Sequence, residues 1–403
     1  MYRAAGTGRW AGVAIKDEPV PPPSVYAGGT FLQFGKRPTL ASTTGCGGSN
    51  LVAFSALVYT YSTISGRPTV SWNDAVFLYD AASGTIHDVE PVGSYQGGDP
   101  VIVIDPNLCQ AHVIYSDAGW QIRDAVFGIP GLTPGGITTL MQNGITPAPP
   151  PFPDGAVLRL PRTLSAAYGP GPGVVVAFHA PVEGPGSSYG KGIFSWATGG
   201  TLTTHARSRD PGCPPPWPDA GRLYTSFRPT PSAAALLGPA VAFVARSNGS
   251  WSRDTAIVLN QGGCGGTNVV QAAEDSSTPL GGRYGDLWVN KELAGAANGT
   301  TVFMAKIHDI AGTPTALIRS TGDVVARSGF ADTALGAAVV RVFTPKAWAI
   351  NSAGAVVFTA RLSGFYDDRA VLYDTPAILP ELVTLNGYAY QQIDELGNMV
   401  VGF

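Results

Sequence analysis

The chain has 403 residues, 44% of them apolar and 13% charged, with 52 glycines and 34 prolines. Glycine and proline punctuate strands and cannot fill helix interiors, so this mixture excludes a helical protein and predicts many short strands joined by tight turns. A net charge of −3 excludes the basic footprint of a nucleic-acid binder, and no apolar run approaches the roughly 18–20 residues of a membrane-inserted helix.

The N-terminal segment MYRAAGTGRWAGVAIKDEP lacks the charged, apolar and cleavage regions of a secretory signal. Four cysteines, few lysines and the N-x-S/T triplets at Asn248 and Asn298 still point to an extracellular or periplasmic protein whose signal peptide is absent from this sequence. The first repeating unit follows as four apolar segments: TFLQF (30–34), LVAF (51–54), AVFLYD (75–80) and TIHDVEPVG (85–93). The second begins with VIVID (101–105), HVIY (112–115) and AVFGI (125–129), and the third with AVLRL (156–160), VVAF (175–178) and GIFSW (192–196). LYTSF (223–227), DLWVN (286–290), VVRVF (339–343) and YAYQQ (388–392) open four more units.

Aligned on the second segment, the aromatic anchors are Phe54, Tyr115, Phe178, Phe243, Phe303, Phe358 and Phe403, spaced by 61, 63, 65, 60, 55 and 45 residues. A small residue stands two positions after most of them, at Ala56, Ala180, Ala245, Ala305 and Ala360. Four strands per unit, labelled A to D and radially repeated, are the sequence form of a β-propeller. The expected fold is therefore an all-β, seven-bladed β-propeller of four-stranded blades, a single domain over 1–403, with six blades as the alternative. Residues 387–403 supply strands A and B of the last blade and 1–22 resemble the missing C and D strands, so the termini are expected to share that blade and close an otherwise open edge.

The recurring phrase NSAGAVVF (351–358), with GPAVAF (238–243), GPGVVVAF (171–178) and ELGNMVVGF (395–403), resembles bacterial tandem-repeat proteins bearing an N-x-x-G-x-x-A-F motif, often found with choice-of-anchor sorting domains. The resemblance spans nearly the whole chain and implies a β-propeller-like exported protein, with no settled activity. The second unit departs from it, with NLCQAHVIY in place of the glycine-anchored form, and no sorting segment follows Phe403.

Cys46 and Cys109 both fall between strands A and B of consecutive units, which sets them at one end of the blades as a disulfide staple. In the chain-entropy model such a bridge contributes about 3–4 kcal/mol. Cys213 lies in a D–A connection and Cys264 in a C–D turn, at opposite ends, so the pairing of these two stays open. Zinc is not expected, since there is no C-x-x-C and no histidine at ligand spacing.

Near the ends of the A strands stand Arg37, Asp105, Arg162, Arg228, Lys291, Lys346 and Asp394. Five of these seven are cations, and together they outline a channel mouth suited to a small anionic ligand such as a uronate, phosphate or sulfate group; capping and solvating the strand ends is the structural alternative. The B–C loops carry an aromatic shortly before strand C at Trp72, Trp120, Tyr189, Trp251 and Tyr366, a loop rim suited to stacking on sugar rings or to covering the core. His179 is the one catalytic candidate, as a base near Tyr189. Asp367 and Asp368 could coordinate calcium; no other cofactor is identified, and no G-x-S-x-G, H-E-x-x-H or P-loop is present.

Three functions follow from these residues. The first is an exported module that recognises a glycan or other polymer through loops on one face. The second is a hydrolase or lyase acting on an anionic substrate, an acidic polysaccharide or a phosphate or sulfate ester. The third is a structural protein, monomeric or self-assembling through the split blade. Fold alone does not choose among them.

Overall fold

A computed structural model describes residues 2–3, 10–35, 37–64, 67–89, 99–169, 171, 173–184, 187–210, 213, 223–228, 230–248, 254–287, 293–330, 339–364, 368–373, 382–384, 390–396 and 398–402. Every regular element among them is a strand. Two compact units can be separated, residues 1–142 with 390–403 and residues 143–389.

In the first unit, β1 (Tyr2–Arg3) and β2 (Trp10–Ala11) precede a sheet made of β3 (Thr30–Phe34), β4 (Thr39–Ser42), β5 (Asn50–Ile64), β6 (Arg67–Asp80) and β7 (Thr85–Asp88). A second sheet holds β8 (Val101–Asp105), β9 (Gln110–Ser116), β10 (Ile122–Gly128) and β11 (Thr133–Met141). The second unit starts with a sheet of β12 (Val157–Leu158), β13 (Arg162–Gly169), β14 (Gly173–Gly184), β15 (Ser187–Ala197) and β16 (Thr201–Arg207). Next come β17 (Tyr224–Phe227), β18 (Ser232–Ala235), β19 (Pro239–Ser247), β20 (Thr255–Gln261) and β21 (Thr267–Ala273). The fifth sheet has β22 (Arg283–Tyr284), β23 (Leu293–Gly295), β24 (Thr301–His308), β25 (Thr315–Arg319) and β26 (Val324–Arg327). The sixth has β27 (Val340–Ile350), β28 (Val356–Leu362), β29 (Asp368–Tyr373) and β30 (Leu382–Thr384). Finally β31 (Tyr390–Ile393) and β32 (Met399–Gly402) join β1 and β2 in the order β2-β1-β32-β31.

Each sheet is an antiparallel meander in chain order, apart from the one that the two termini share. This is the strand plan of a β-propeller. Tyr2 is in register with Val400 and Arg3 with Met399, so the first residues supply the third strand of the last sheet.

The apolar tetrads have a simple origin. In the second strands both faces are buried: Phe54 packs in a cluster with Tyr2, Phe31, Phe77 and Val400, while the alternate residues Leu51 and Ala53 pack with Val113 and Tyr115 of the next sheet. The same division recurs at β19, where Phe243 and Val241 face one neighbouring sheet and Ala242 and Val244 the other. A strand buried on both sides reads as a continuous apolar run instead of an alternation. The six described anchors, Phe54, Tyr115, Phe178, Phe243, Phe303 and Phe358, are all buried, as are the five alanines two positions on. Phe54 and Phe178 stack on their register partners Phe77 and Phe194, ring centroids 5.4 and 5.6 Å apart. Phe403 lies outside the described residues.

The N-x-x-G phrase is turn chemistry. Between β27 and β28 the buried Asn351 accepts the Ala355 N–H through Oδ1 at 2.9 Å, while its carbonyl accepts from Gly354 N at 2.9 Å. Gly354 closes this turn at φ +88°, which a side chain would strain. In the second sheet Asp105 does the asparagine's work, accepting from Asn107 N and Leu108 N, and Cys109 takes the left-handed position at φ 49°. The unit that lacks the glycine has its disulfide cysteine there. Cys46 and Cys109 are bonded, Cα atoms 5.3 Å apart, joining the first two sheets through their A–B turns. Cys213 and Cys264 are bonded as well, Cα atoms 4.7 Å apart; the D–A connection therefore brings Cys213 to the end of the sheet from which topology alone set it apart.

One expectation about the A strands needs correcting. The sequence predicts short single segments, yet in four sheets the strand has two segments on one partner: β3 and β4 on β5, β12 and β13 on β14, β17 and β18 on β19, β22 and β23 on β24. In the sixth sheet β27 is continuous but slips register between Phe343 and Trp348. At the first break Gly35 donates to Ser55 O at 2.7 Å, and a methyl group at Gly35 would run into Ser55 Oγ.

Candidate functional site

The breaks are where the predicted cations stand. Arg37 lies between β3 and β4, Arg162 opens β13 directly after its break, Arg228 lies between β17 and β18, and Lys346 falls within the slipped part of β27. They therefore occupy the interior of the A strand and not its ends, which corrects their predicted position. The unbroken A strands β8 and β31 are those whose candidates are acidic, Asp105 and Asp394. Lys291 lies outside the described residues, and of Arg162 and Lys346 only the strand positions are described.

Asp105 and Asp394 belong to A–B turns. Asp394 is buried; its Oδ1 accepts from Leu396 N and Asn398 N at 2.9 Å each, and its Oδ2 from Asn398 Nδ2 at 2.8 Å and from Ser42 Oγ. Asn398 Nδ2 also reaches Ser42 Oγ and Asn50 Oδ1, so the carboxylate fastens the last sheet to the first. Hydrogen bonds from backbone and side chain account for both burials as structural caps.

Arg228, half-buried, faces Asp286 and Arg246, and burial lowers its pKa. Arg246 reaches Asp254 Oδ2 at 3.4 Å and Asp286 Oδ2 at 3.7 Å. Glu274 accepts from Thr255 Oγ1 at 2.9 Å. Burial raises the pKa values of both Asp254 and Glu274. His179 is buried in β14, in register with Arg162 on one side and Ile193 on the other.

Of the aromatic rim, Trp251 and Tyr366 lie outside the described residues, with Asp367; Tyr189 and Asp368 are described only as strand positions. Trp120 and Trp72 are exposed, both on B–C connections of the first unit. Trp120 sits in a tight turn at φ 58°, where its N–H donates to Asp117 O. Asp117 Oδ1 accepts from Gly119 N and Gln121 N, and Arg123 holds Oδ2 at 2.9 Å. A tryptophan kept in the left-handed region by such a network is an unusual expense of backbone strain.

Trp72 stands on an element that sequence reasoning described as a loop. β5 and β6 form a hairpin of 15- and 14-residue strands, paired from Leu51↔Asp80 to Ile64↔Arg67. Tyr59 is directly opposite Trp72, ring centroids 5.7 Å apart, and Tyr61 meets Tyr59 edge-on at 4.7 Å. Tyr61 is 70% exposed, Trp72 64% and Val70 41%. A hydrogen bond to Tyr61 raises the Tyr59 pKa, and burial raises that of Asp74 at the base of the same face. The signal was present as period-2 alternation, Tyr59/Tyr61 against Val70/Trp72.

One arrangement escaped sequence reasoning. Ser195 Oγ lies 2.7 Å from His205 Nε2, and His205 Nδ1 lies 2.5 Å from Asn260 Oδ1. Asn260 Nδ2 donates to Gly263 O and to Asn268 Oδ1. With Asn260 Oδ1 as acceptor, Nδ1 carries the proton and Nε2 accepts from Ser195. The order is that of a nucleophile, a base and an orienting group. All three are at most 2% exposed, which makes the trio a structural bolt between β15, β16 and β20. Among the described residues no group of three or more His, Cys, Asp or Glu is placed to hold a metal ion.

No protein-family model and no curated protein sequence matches the chain. Among solved structures, AofleA from Arthrobotrys oligospora is 10% identical over 97% of this chain and 98% of its own, with a TM-score of 0.38. An acylaminoacyl peptidase from Pyrococcus horikoshii is 10% identical over 90% of this chain and 48% of its own, at 0.44. TolB from Acinetobacter baumannii is 12% identical over 72% of this chain and 61% of its own, at 0.31. At such scores and identities none of them assigns a residue or an activity to this chain.

Proposed function

We propose that the protein is an exported recognition module of the N-x-x-G-x-x-A-F tandem-repeat group, its sheets the blades of a single propeller, which binds a glycan or other polymer through the B–C connections of the first two sheets. The observation that carries this reading is the exposed aromatic face of the β5–β6 hairpin. Rings turned to water on a two-stranded element, with polar tips at their edges, suit a ligand that is apolar on its ring faces and polar at its rim. Two disulfides fit an oxidising compartment. In affinity electrophoresis through polysaccharide gels, Trp72→Ala is expected to weaken retention at least about tenfold, as truncated aromatic anchors do. Retention that survives both Trp72→Ala and Tyr61→Ala would remove the hairpin as the site.

A second reading, a hydrolase or lyase for an anionic substrate, is favoured by one observation: cations recur at the breaks and slips of the A strands, while the unbroken strands carry none there. In that case Arg162→Ala combined with Arg228→Ala abolishes binding or turnover of an acidic polysaccharide. Unchanged binding and no turnover in the wild type would dismiss it.

A further inference from the structure

We propose that the occupant of the hairpin's aromatic face is a chain of uncharged sugars, and that Asp74 rejects acidic ones. This rests on the recognition role proposed for the same face.

Residues directly opposite in an antiparallel pair, and residues two apart along a strand, project to the same side. The pairs Leu57↔Asp74, Tyr59↔Trp72 and Tyr61↔Val70 therefore form one side of the hairpin, and Val58↔Asn73, Thr60↔Ser71 and Ser62↔Thr69 the other. Val58 is fully buried in the core of the first sheet, whereas Tyr61, Val70, Trp72 and Asp74 are exposed. Hydroxyl and amide groups line the Val58 side, where Thr60, Thr69, Ser71 and Asn73 are half-buried and Ser62 is exposed, whereas the large rings and Val70 gather on the other. An apolar surface presented this way costs solvation unless something covers it.

The chemistry of the face selects what covers it. Tyr59 lies 4.7 Å from Tyr61 and 5.7 Å from Trp72, the ring planes inclined at 77° and 57°; the exposed Trp72 and Tyr61 rings therefore face in different directions, and each can take a C–H face of a separate sugar unit. The phenol hydroxyls can donate to and accept from sugar hydroxyl groups, and the indole N–H can donate to them. In these three pairs and in Thr63↔Pro68, which follows them on the same side, Asp74 is the sole charged residue, two positions from Trp72. A carboxylate there accepts from sugar hydroxyls and repels a uronate or sulfate seated on the rings. Arg67, at the hairpin's far end, belongs to the opposite side through its pair Ile64↔Arg67 and offers an acidic chain no compensation on the aromatic face.

The test is affinity electrophoresis of the full chain at neutral pH in gels containing a neutral β-glucan, a galactomannan, chitosan, polygalacturonate or dextran sulfate. The wild type is expected to be retained at least tenfold more strongly by a neutral polymer than by either acidic one. Trp72→Ala weakens that retention at least about tenfold. Asp74→Asn lowers the neutral-to-acidic ratio at least threefold, while Glu18→Gln, an exposed carboxylate elsewhere in the first unit, leaves it unchanged and so separates Asp74 from net charge. Preferential retention by an acidic polymer or by chitosan, lost in Trp72→Ala, overturns this inference but leaves the recognition reading standing. A ratio that Asp74→Asn does not move overturns the role of Asp74. Absence of retention by every polymer overturns both readings. Concentration-dependent dimers in sedimentation that Trp72→Ala dissociates overturn the proposal in favour of a second copy of the chain as occupant.

Discussion

Deletion of residues 1–11 is expected to lower the melting temperature by about 10 °C or more and to produce a chain that aggregates at concentrations where the intact protein stays soluble. The deletion takes away β1 and β2, half of the four-stranded sheet that the termini share. It bares the edge of β32, whose Met399 and Val400 are in register with Arg3 and Tyr2. It also removes Tyr2 from a cluster containing Phe54, Phe77 and Val400. Loss of one large buried aromatic costs about 3–5 kcal/mol, which for a unit of this size is a shift of roughly 10 °C. The bared strand adds a template for pairing between chains. Differential scanning calorimetry and size-exclusion chromatography read the two effects. An unchanged transition in the shortened chain would mean that the terminal pairing contributes nothing to stability.

The second large effect is one of pH. Burial pushes the His205 imidazole down to about 4, with the Asn260 hydrogen bond acting in the opposite sense. Between its unfolded value near 6.5 and about 4, the unfolded chain binds a proton that the folded chain refuses. Stability from this group is therefore complete above pH 6.5 and falls as the pH drops towards 4, by about 1.4 kcal/mol per unit and about 3 kcal/mol in all. Carboxylates titrate in the same window, so the measurement is a difference. Urea midpoints of the wild type and of His205→Gln are compared at several pH values. The variant is expected to be the less stable at pH 7, with the gap closing as the pH falls; parallel curves would show that the buried ring does not govern acid sensitivity.

The fold was largely legible because its signal is repeated. Each anchor is flanked by apolar residues on both sides of the strand, and a run buried on two faces survives degeneration of everything around it. The shared last sheet was suggested by complementary ends, 387–403 reading as strands A and B and 1–22 resembling the C and D strands of the first unit. What the sequence does not reveal is finer. Asp105 and Asp394 looked like charges at a mouth, because a turn cap and a ligand-facing carboxylate have the same spelling when no partner is visible; their partners are backbone N–H groups and, for Asp394, residues some 350 positions away. The second A-strand segments, such as Ser232–Ala235, carry little strand propensity of their own, being mostly small residues buried against the next strand. The Ser195–His205–Asn260 trio left no pattern, since its members are separated by 10 and 55 residues and meet only once two sheets pack. The long hairpin was hidden by serine, threonine and asparagine, which read as loop until the alternating rings among them are given weight.

Among the described residues, 60–64 and 67–71 of that hairpin pair in backbone register with each other alone, beyond Tyr59, the last residue of β5 matched by β3. The tip can thus be lengthened, trimmed or exchanged without touching the meander beneath it. Selection could rewrite what this molecule grips while leaving the way it folds untouched, and an engineer could transplant the tip onto another two-stranded stem.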